Sequence, residues 1–427
     1  MNIVSFNEYK RSLTSTNMSN EESQKKLDNI VLPIIQDVRN NGDQALYRYA
    51  EKFDQVKLDQ LTVTEEEWND AKNKVDASFL SALKEAKENI AYFHEQQMEK
   101  SWFIQKENNI MLGQQVTPME KVGIYVPGGK AAYPSTVLMN VIPAKIAGVE
   151  KVRITTPPQT DGKVNPYVLA AASVAGVDRI YKIGGAQAIA ALAYGTETIE
   201  KVDKIVGPGN AFVARAKKWV YGDVAIDMIA GPSEICIVAD DSTRADFVAA
   251  DLLSQAEHDE EATSILITTS ESLATKVKDA VMNQLEQLER MEIAKTSIEK
   301  NGKIILVDSL QKAFEIVNEL APEHLQLMIE HASDYLGYVR HAGAIFLGNY
   351  SPEPLGDYFA GPNHTLPTSG TAKFSSPLGV YDFLKKSSII RYSKDALNDV
   401  IQPVSTLANM EGLTAHAKSM EIRKDID

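Results

Sequence analysis

Gln255 and His258 stand three residues apart in DLLSQAEHDEEATS, a stretch that reads as the end of a helix followed by a strand. On a helix that spacing places both on one face. An amide beside an imidazole serves either as surface decoration or as a site for a metal or polar substrate, and this stretch alone leaves both open. APEHLQL sets Glu323 beside His324. Neighbouring residues point in different directions, so at a strand start the pair offers two proton-transfer roles from one place. The plainer alternative is a surface glutamate next to a half-buried histidine. PEPLGDYFAGPNHTLPTSG, residues 352–370, reads as a structured loop at strand ends and carries Asp357 and His364. Asp357 is a hard oxygen donor or the acceptor of an Asx turn. His416 stands in the tail stretch GLTAHAKSM. Gln255, His258, Asp357 and His416 together offer zinc two nitrogens and two oxygens, although no HExxH or CxxC spacing links them. Of the other histidines, His94 reads as solvated at a charged helix end. Nothing nearby recruits His331 or His341.

Three Gly-rich turns each lie between an apolar run and a helical one: YVPGG, KIGGAQAIA and IVGPGNAFVARA. Such turns aim backbone N–H groups and a helix N-terminus at a phosphate. None is GxGxxG, and tight turns demanded by the fold are the alternative. IAGPSE, with Ser233 and Glu234, is a further Gly-Pro turn. Cys236, inside the apolar run EICIVA, reads as core rather than nucleophile.

The elements that must position these residues follow from pattern. The chain has 427 residues, 44% hydrophobic and 24% charged, with a net charge of -14. That length predicts at least two domains. The acidic balance, without a long Lys/Arg run, argues against nucleic acid or an anionic membrane as partner. The single cysteine forbids an intramolecular disulfide and fits a reducing compartment. No secretory h-region or membrane-length apolar run is read, so a cytoplasmic location is expected.

The first third reads as helical. Ser19 or Asn20 caps a helix that NNGD at 40–43 ends. Thr64 and Glu67 make a capping box, and Phe79, Leu83, Ala86, Ile90 and Phe93 recur at core-facing spacing. From about Lys121, VGIYV, KVRITT and RIYKIGG alternate with helices, one of them disturbed by Pro143. From Glu234, EICIVAD, SILITTS, KIILVD and AIFLG do the same. The alternation predicts parallel sheets covered on both faces, and the tail after about Ser375 reads as helical again. No exact internal repeat is present.

Taken together, VGIYVPGGKAAYPSTVLMNVIPAKIAGV, IGGAQAIAALAYGT, VGPGNAFVARAKKWVYGDVAIDMIAGPSE, LLSQAEHD, APEHLQL and GPNHTLPTSGTAKFSSPLGV resemble histidinol dehydrogenases over essentially the whole chain. The one departure is Phe212, where tyrosine is more usual. The resemblance implies an α/β protein of two incomplete Rossmann-like parallel-sheet domains, with a helical N-terminal segment and a helical C-terminal tail. The expected divisions are an N-terminal helical arm at 1–24, a first α/β domain at 25–120 and 233–378 with metal and catalytic residues, an NAD-binding domain at 121–232, and a dimerisation tail at 379–427.

The resemblance further implies zinc- and NAD-dependent oxidation of L-histidinol through L-histidinal to L-histidine, in the last steps of histidine biosynthesis, by a homodimer whose tails complete the partner's site. Glu323 and His324 would be the acid-base pair. Tyr125, Gln187 and Asn210 would contact NAD. Gln255, His258 and Asp357 would ligate one zinc per subunit with His416 of the partner. Ser233, Gln255, His258, His324, Asp357, Glu411 and His416 would contact substrate. Two rivals remain: a related zinc and NAD enzyme for another amino alcohol or a sulfonated alcohol, and a catalytically dead nucleotide- or metal-binding protein.

Overall fold

The computed structural model describes residues 1–13, 20–128, 132–177 and 179–424. Ser19, one of the two expected helix caps, and Gly129, the second glycine of YVPGG, lie outside them. The first third supplies β1 (Asn2–Ser5), β2 (Trp102–Lys106) and β3 (Ile110–Pro118) besides its helices. β4 (Lys121–Tyr125), β5 (Lys151–Thr156), β6 (Ile180–Lys182), β7 (Lys204–Val206) and β8 (Ala225–Ile226) follow. They form a parallel sheet in the order β6-β5-β4-β7-β8. β9 (Glu234–Ala239), β10 (Thr263–Thr268), β11 (Lys303–Leu306), β12 (His324–Met328) and β13 (Ala344–Leu347) form a second one. Its order is β1-β11-β10-β9-β12-β13, all parallel. With β1 set aside, both sheets share one topology: third, second, first, fourth, fifth strand. That is the doubly wound order without its sixth strand. The fold is therefore the expected α/β pair of incomplete Rossmann-like sheets, repeated in topology where the sequence shows no repeat.

The inner strands of both parallel sheets are buried on both faces, as crossover helices require. In β9, Ile235 and Ile237 pack into one core with Val248, Leu252, Leu273 and Val277. Cys236 and Val238 face the opposite core with Phe314 and Val317. Cys236 is thus a core residue, and burial pushes its thiol far up.

The helix Asn20–Tyr49 does not end at NNGD. It kinks at Gly42, where φ is 47°, and resumes. Glu197, from far along the chain, explains the resumption: its carboxylate accepts the Asp43 N–H at 2.8 Å and caps the new segment. The capping box at Thr64 and Glu67 is present. Glu67 is also buried against Lys182 at 3.0 Å. In the helix Ala77–Glu95, Leu83, Ala86 and Ile90 are buried, while Phe79 sits edge-on to Tyr167 and Phe93 stays partly exposed. His94 is fully buried rather than solvated. It lies one turn beyond Ile90 on the same face, and its Nδ1 reaches the Ile90 carbonyl at 2.8 Å. Pro143 is accommodated inside the uninterrupted helix Pro134–Ala147.

Residues 98–118 and 383–427 form a separate compact unit. β14 (Leu384–Arg391) pairs antiparallel with β3, which pairs with β2. The helices Lys394–Met410 and Thr414–Glu421 follow and pack on each other. The tail is helical as expected, except that β14 precedes its helices. Among the described residues no helix is long and apolar enough to cross a membrane.

Candidate active site

His324 opens β12 and Glu323 immediately precedes it, beside the start of β9. The helix before them, Leu310–Leu320, is stopped by Ala321 in a left-handed conformation and then by Pro322. Both side chains are buried, Glu323 at 7% and His324 at 3% exposure. One residue of β9 holds them both. The Glu234 N–H donates to Glu323 Oε2 at 2.9 Å, and the Glu234 carbonyl lies 3.0 Å from His324 Nδ1. A carbonyl only accepts, so Nδ1 carries the hydrogen. Nε2 then points at Asp357 at 3.6 Å and Glu353 at 3.7 Å, with no hydrogen-bond partner within range.

Burial pushes the Glu323 carboxyl up to about 7. Burial also works against a charged His324, but Glu323, Asp357 and Glu353 outweigh it and raise the imidazole to about 10. Asp357 is held far below the usual carboxylate range by His324 and His364, against the opposing effect of burial. Burial and the Asp357 charge push Glu353 up.

Asp357 belongs to a short helix, Glu353–Tyr358, and not to an irregular loop. Pro354 sits in its first turn, where a missing N–H costs nothing. That turn puts Glu353 on the same face as Asp357, four residues on. Glu353 is 1% exposed, and one of its oxygens has no partner. Sequence reasoning passed over it, although the spacing of four is a legible signal. The helix packs on the helix Ala245–Ala256, whose last turn carries Gln255. Ser254 of that helix donates to Glu353 Oε2 at 3.2 Å.

His258, Glu353 and Asp357 bring one ligand atom each to within 4.8 Å of one another. Gln255 is 1% exposed, and its Oε1 is enclosed without a donor. An enclosed amide oxygen without a partner is costly unless something fills it. Burial lowers the His258 pKa and so favours the neutral imidazole that a metal needs. This donor set, nitrogen from one residue and oxygens from three, fits a borderline dication such as zinc. His364 supports Asp357 from behind. It is buried, its pKa is lowered by burial, and its Nδ1 lies 2.9 Å from the Asp357 carbonyl. The helix Pro134–Ala147 is tied to the same loop, since Asn140 Nδ2 donates to Thr365 Oγ1 at 3.3 Å.

Tyr125, Gln187 and Asn210 line a cavity of about 960 Å³ at the carboxyl ends of β4 and β5. That is where doubly wound sheets bind ligands. The Tyr125 hydroxyl accepts the Gly185 N–H at 3.1 Å. Asn210 caps the helix Ala211–Val220, its Oδ1 accepting from the N–H groups of Phe212 and Val213 at 3.1 Å each. Its amide NH₂ is therefore the end left to serve a ligand. Phe212 also lines the wall. Gly207 is fixed by geometry: at φ 107° an added Cβ would fall 2.2 Å from the Tyr125 carbonyl oxygen. Ser233 sits half-buried just before β9, and its carbonyl accepts the Thr263 N–H. Glu411 and His416 belong to the separate unit. There Glu411 ends the helix Lys394–Met410, and His416 is exposed on Thr414–Glu421.

Residues 17–424 match the family model described as histidinol dehydrogenase. The chain is 57% identical to the histidinol dehydrogenase of Oceanobacillus iheyensis over 100% of both chains. It is 55% identical to that of Bacillus cereus over 99% of each. Among solved structures, histidinol dehydrogenase from Elizabethkingia anophelis superposes with a TM-score of 0.89 at 41% identity, covering 93% of this chain and 92% of that one.

Proposed function

Since the chain belongs to the histidinol dehydrogenase family, we propose that it oxidises L-histidinol through L-histidinal to L-histidine, with NAD as the oxidant in both steps and zinc positioning the substrate. The observation that carries this reading is the buried Glu323-His324 pair, with Nδ1 of the imidazole tied to the Glu234 carbonyl and Nε2 left without a partner.

Gln255, His258 and Asp357 would hold the metal, with His416 of a second copy, and Glu353 stands beside them. When bound, the dication orients the imidazole and amine of histidinol and offsets the carboxylate charge around His324, while the nicotinamide takes the hydride. The chain's own groups manage the protons. With that carboxylate charge offset, the His324 imidazole is neutral and its Nε2 takes the proton of the substrate hydroxyl as the first oxidation proceeds. The aldehyde stays enclosed. Glu323, whose carboxyl is pushed up to about 7, helps withdraw a proton from water for the hydrate, and His324 again takes the hydroxyl proton in the second oxidation. Tyr125, Gln187 and Asn210 line the cavity that suits the dinucleotide. Ser233 and the partner's Glu411 would contact the substrate. The four-electron change needs two hydride acceptors, hence two NAD per histidinol.

The apolar surface of the smaller unit supports a homodimer. Trp102, Phe103 and Ile104 of β2 and Leu407 and Met410 of the tail are all largely exposed. The lone, buried Cys236 supports a cytoplasmic setting.

The test is NADH formation by the purified protein with L-histidinol, before and after chelation and then with zinc restored. Loss on chelation and recovery with zinc support the reaction and the metal. No NADH from metal-replete protein sinks the histidinol reading.

A further inference from the structure

The cavity at the ends of β4 and β5 holds a charged group that the proposed mechanism does not use. Asp54 lines it together with Phe53, and among the described lining residues Asp54 is the only charged side chain. Both residues come from outside the sheet. They end a single π turn, Ala50–Asp54, which follows the helix Asn20–Tyr49 and is closed by Gln55 in a left-handed conformation at φ 57°. π turns are rare and recur at functional sites. This one inserts a phenyl ring and a carboxylate into the cavity wall.

One oxygen of the Asp54 carboxylate is not accounted for by any protein partner: Oδ2 is enclosed without a hydrogen-bond partner. Burial is the sole cause acting on its titration and pushes it up to about 6. An enclosed carboxylate oxygen without a donor calls for an explanation, and a ligand supplying O–H donors is the simplest.

Topology says which donors. In a doubly wound nucleotide site an acid at the end of the second strand accepts the ribose hydroxyls. Here the second strand is β5, and its end lines the cavity with Thr156, Pro157, Pro158, Gln159 and Thr160. None is acidic. Among the described lining residues the acid comes instead from Asp54, outside the sheet.

Building on the reading of this cavity as the dinucleotide site, we propose that Asp54 accepts the 2′-hydroxyl of the adenosine ribose and thereby makes the chain prefer NAD to its 2′-phosphorylated form. A carboxylate accepts a hydroxyl proton but repels a phosphate. No described lining residue offers a cation to hold that phosphate.

The experiment titrates wild type, Asp54→Asn and Asp54→Ser with NADH and with NADPH by fluorescence, without substrate. Histidinol oxidation with NAD and with NADP gives a second readout. Melting curves show that each variant is folded. Wild type is expected to bind NADPH at least about tenfold more weakly than NADH. A hydrogen bond to a charged group implies that Asp54→Ser narrows this preference by about 10- to 100-fold. Asp54→Asn removes the charge but keeps the shape, so it gains NADPH binding while losing less for NADH. If Asp54→Ser does not fold, Asp54→Asn carries the test, because a neutral amide relieves the burial of the charge. An unchanged preference in the folded variants, with NADH binding intact, overturns the role of Asp54 alone. A wild type that binds neither dinucleotide overturns the reading of the cavity itself.

Discussion

His324 Nδ1 lies 3.0 Å from the carbonyl oxygen of Glu234, across the β9–β12 pairing. A backbone carbonyl cannot rotate away or change protonation, so this contact sets the tautomer as firmly as the sheet itself is set. The imidazole is left with Nε2 facing the Asp357 and Glu353 carboxylates.

That geometry gives Nε2 one task, and removing it should remove the chemistry. His324→Ala is expected to lower kcat for histidinol oxidation by about 10²- to 10⁴-fold, the usual contribution of a positioned base. The cavity proposed for the dinucleotide is lined by other residues. NADH binding should therefore stay within about twofold of wild type, inside the context-dependent scatter expected when no contact is lost. Full activity in His324→Ala would end the assignment.

Glu323 makes two separable predictions. On the proposed path, water activation by Glu323 belongs to the second half of the reaction, so Glu323→Gln should slow histidinal oxidation more than histidinol oxidation. Equal damage to both halves would refute the division of labour.

The second prediction is a pH dependence with a definite sign. The folded pKa of Glu323 is raised to about 7 by burial, above the usual 4.5. Below pH 4.5 the group is protonated in both the folded and unfolded chain and costs nothing. Between pH 4.5 and 7 the unfolded state ionises first and stability falls; above 7 the whole cost persists, at most about 3 kcal/mol. Glu323→Gln does not titrate. Melting temperatures should show the variant gaining on wild type from pH 4.5 to 7, with no gain at lower pH.

How far these residues could be read from the sequence depended on how local their signals were. The capping box at Thr64 and the alternation of strands and helices are local, and both are present. His94 was misread because the helical series was continued from Ile90 to Phe93, three residues on, whereas the buried position is His94, four on. β14 depends on pairing with β3, which is far away in sequence, so its apolar residues looked like helix. Glu353 was overlooked because proline and glycine around Asp357 suggested a loop, whereas proline in a first turn is compatible with a helix. The role of Glu234 rests on its backbone groups and leaves no mark in residue type.

Cys236 separates this chemistry from aldehyde oxidation through a thiohemiacetal. It is 1% exposed between two core layers, and burial holds its thiol neutral. A thiol reagent such as dithionitrobenzoate should leave the native protein unlabelled and titrate one thiol after denaturation. Cys236→Ala should keep kcat within about threefold, since its cost is a small cavity and not a lost nucleophile. Rapid labelling of the native protein with loss of activity would contradict this.

The site proposed to be shared between two copies predicts complementation. On the proposed ligand set, His258→Asn would damage the metal site in its own chain, and His416→Asn that of the partner. A mixed dimer would contain one site with both lesions and one with neither, so mixing two inactive proteins should restore up to about a quarter of wild-type activity under random pairing of identical subunits. Verified mixed dimers without activity would count against a ligand from the second copy.

Lys217 and Asp227 form a buried ion pair, at 2% and 1% side-chain exposure, that acts on the turn presenting Asn210. Lys217 Nζ also donates to the Gly207 carbonyl at 3.0 Å, and Asp227 Oδ2 accepts the Gly207 N–H at 2.8 Å. The pair thus holds both polar groups of the glycine whose φ of 107° sends the chain past Tyr125. Lys217→Met leaves Asp227 charged and enclosed, and breaking such a pair typically costs about 3–5 kcal/mol. Loosening the turn should also raise KM for NAD more than it lowers kcat, because Asn210 faces the cavity and not the Glu323-His324 pair. Lys217→Met with Asp227→Leu removes both charges. It should recover most of the stability without recovering the KM, because neither new side chain bonds to Gly207. Chemical denaturation and steady-state kinetics measure the two effects separately. Recovery of both by the double variant would mean that the pair serves only to neutralise itself.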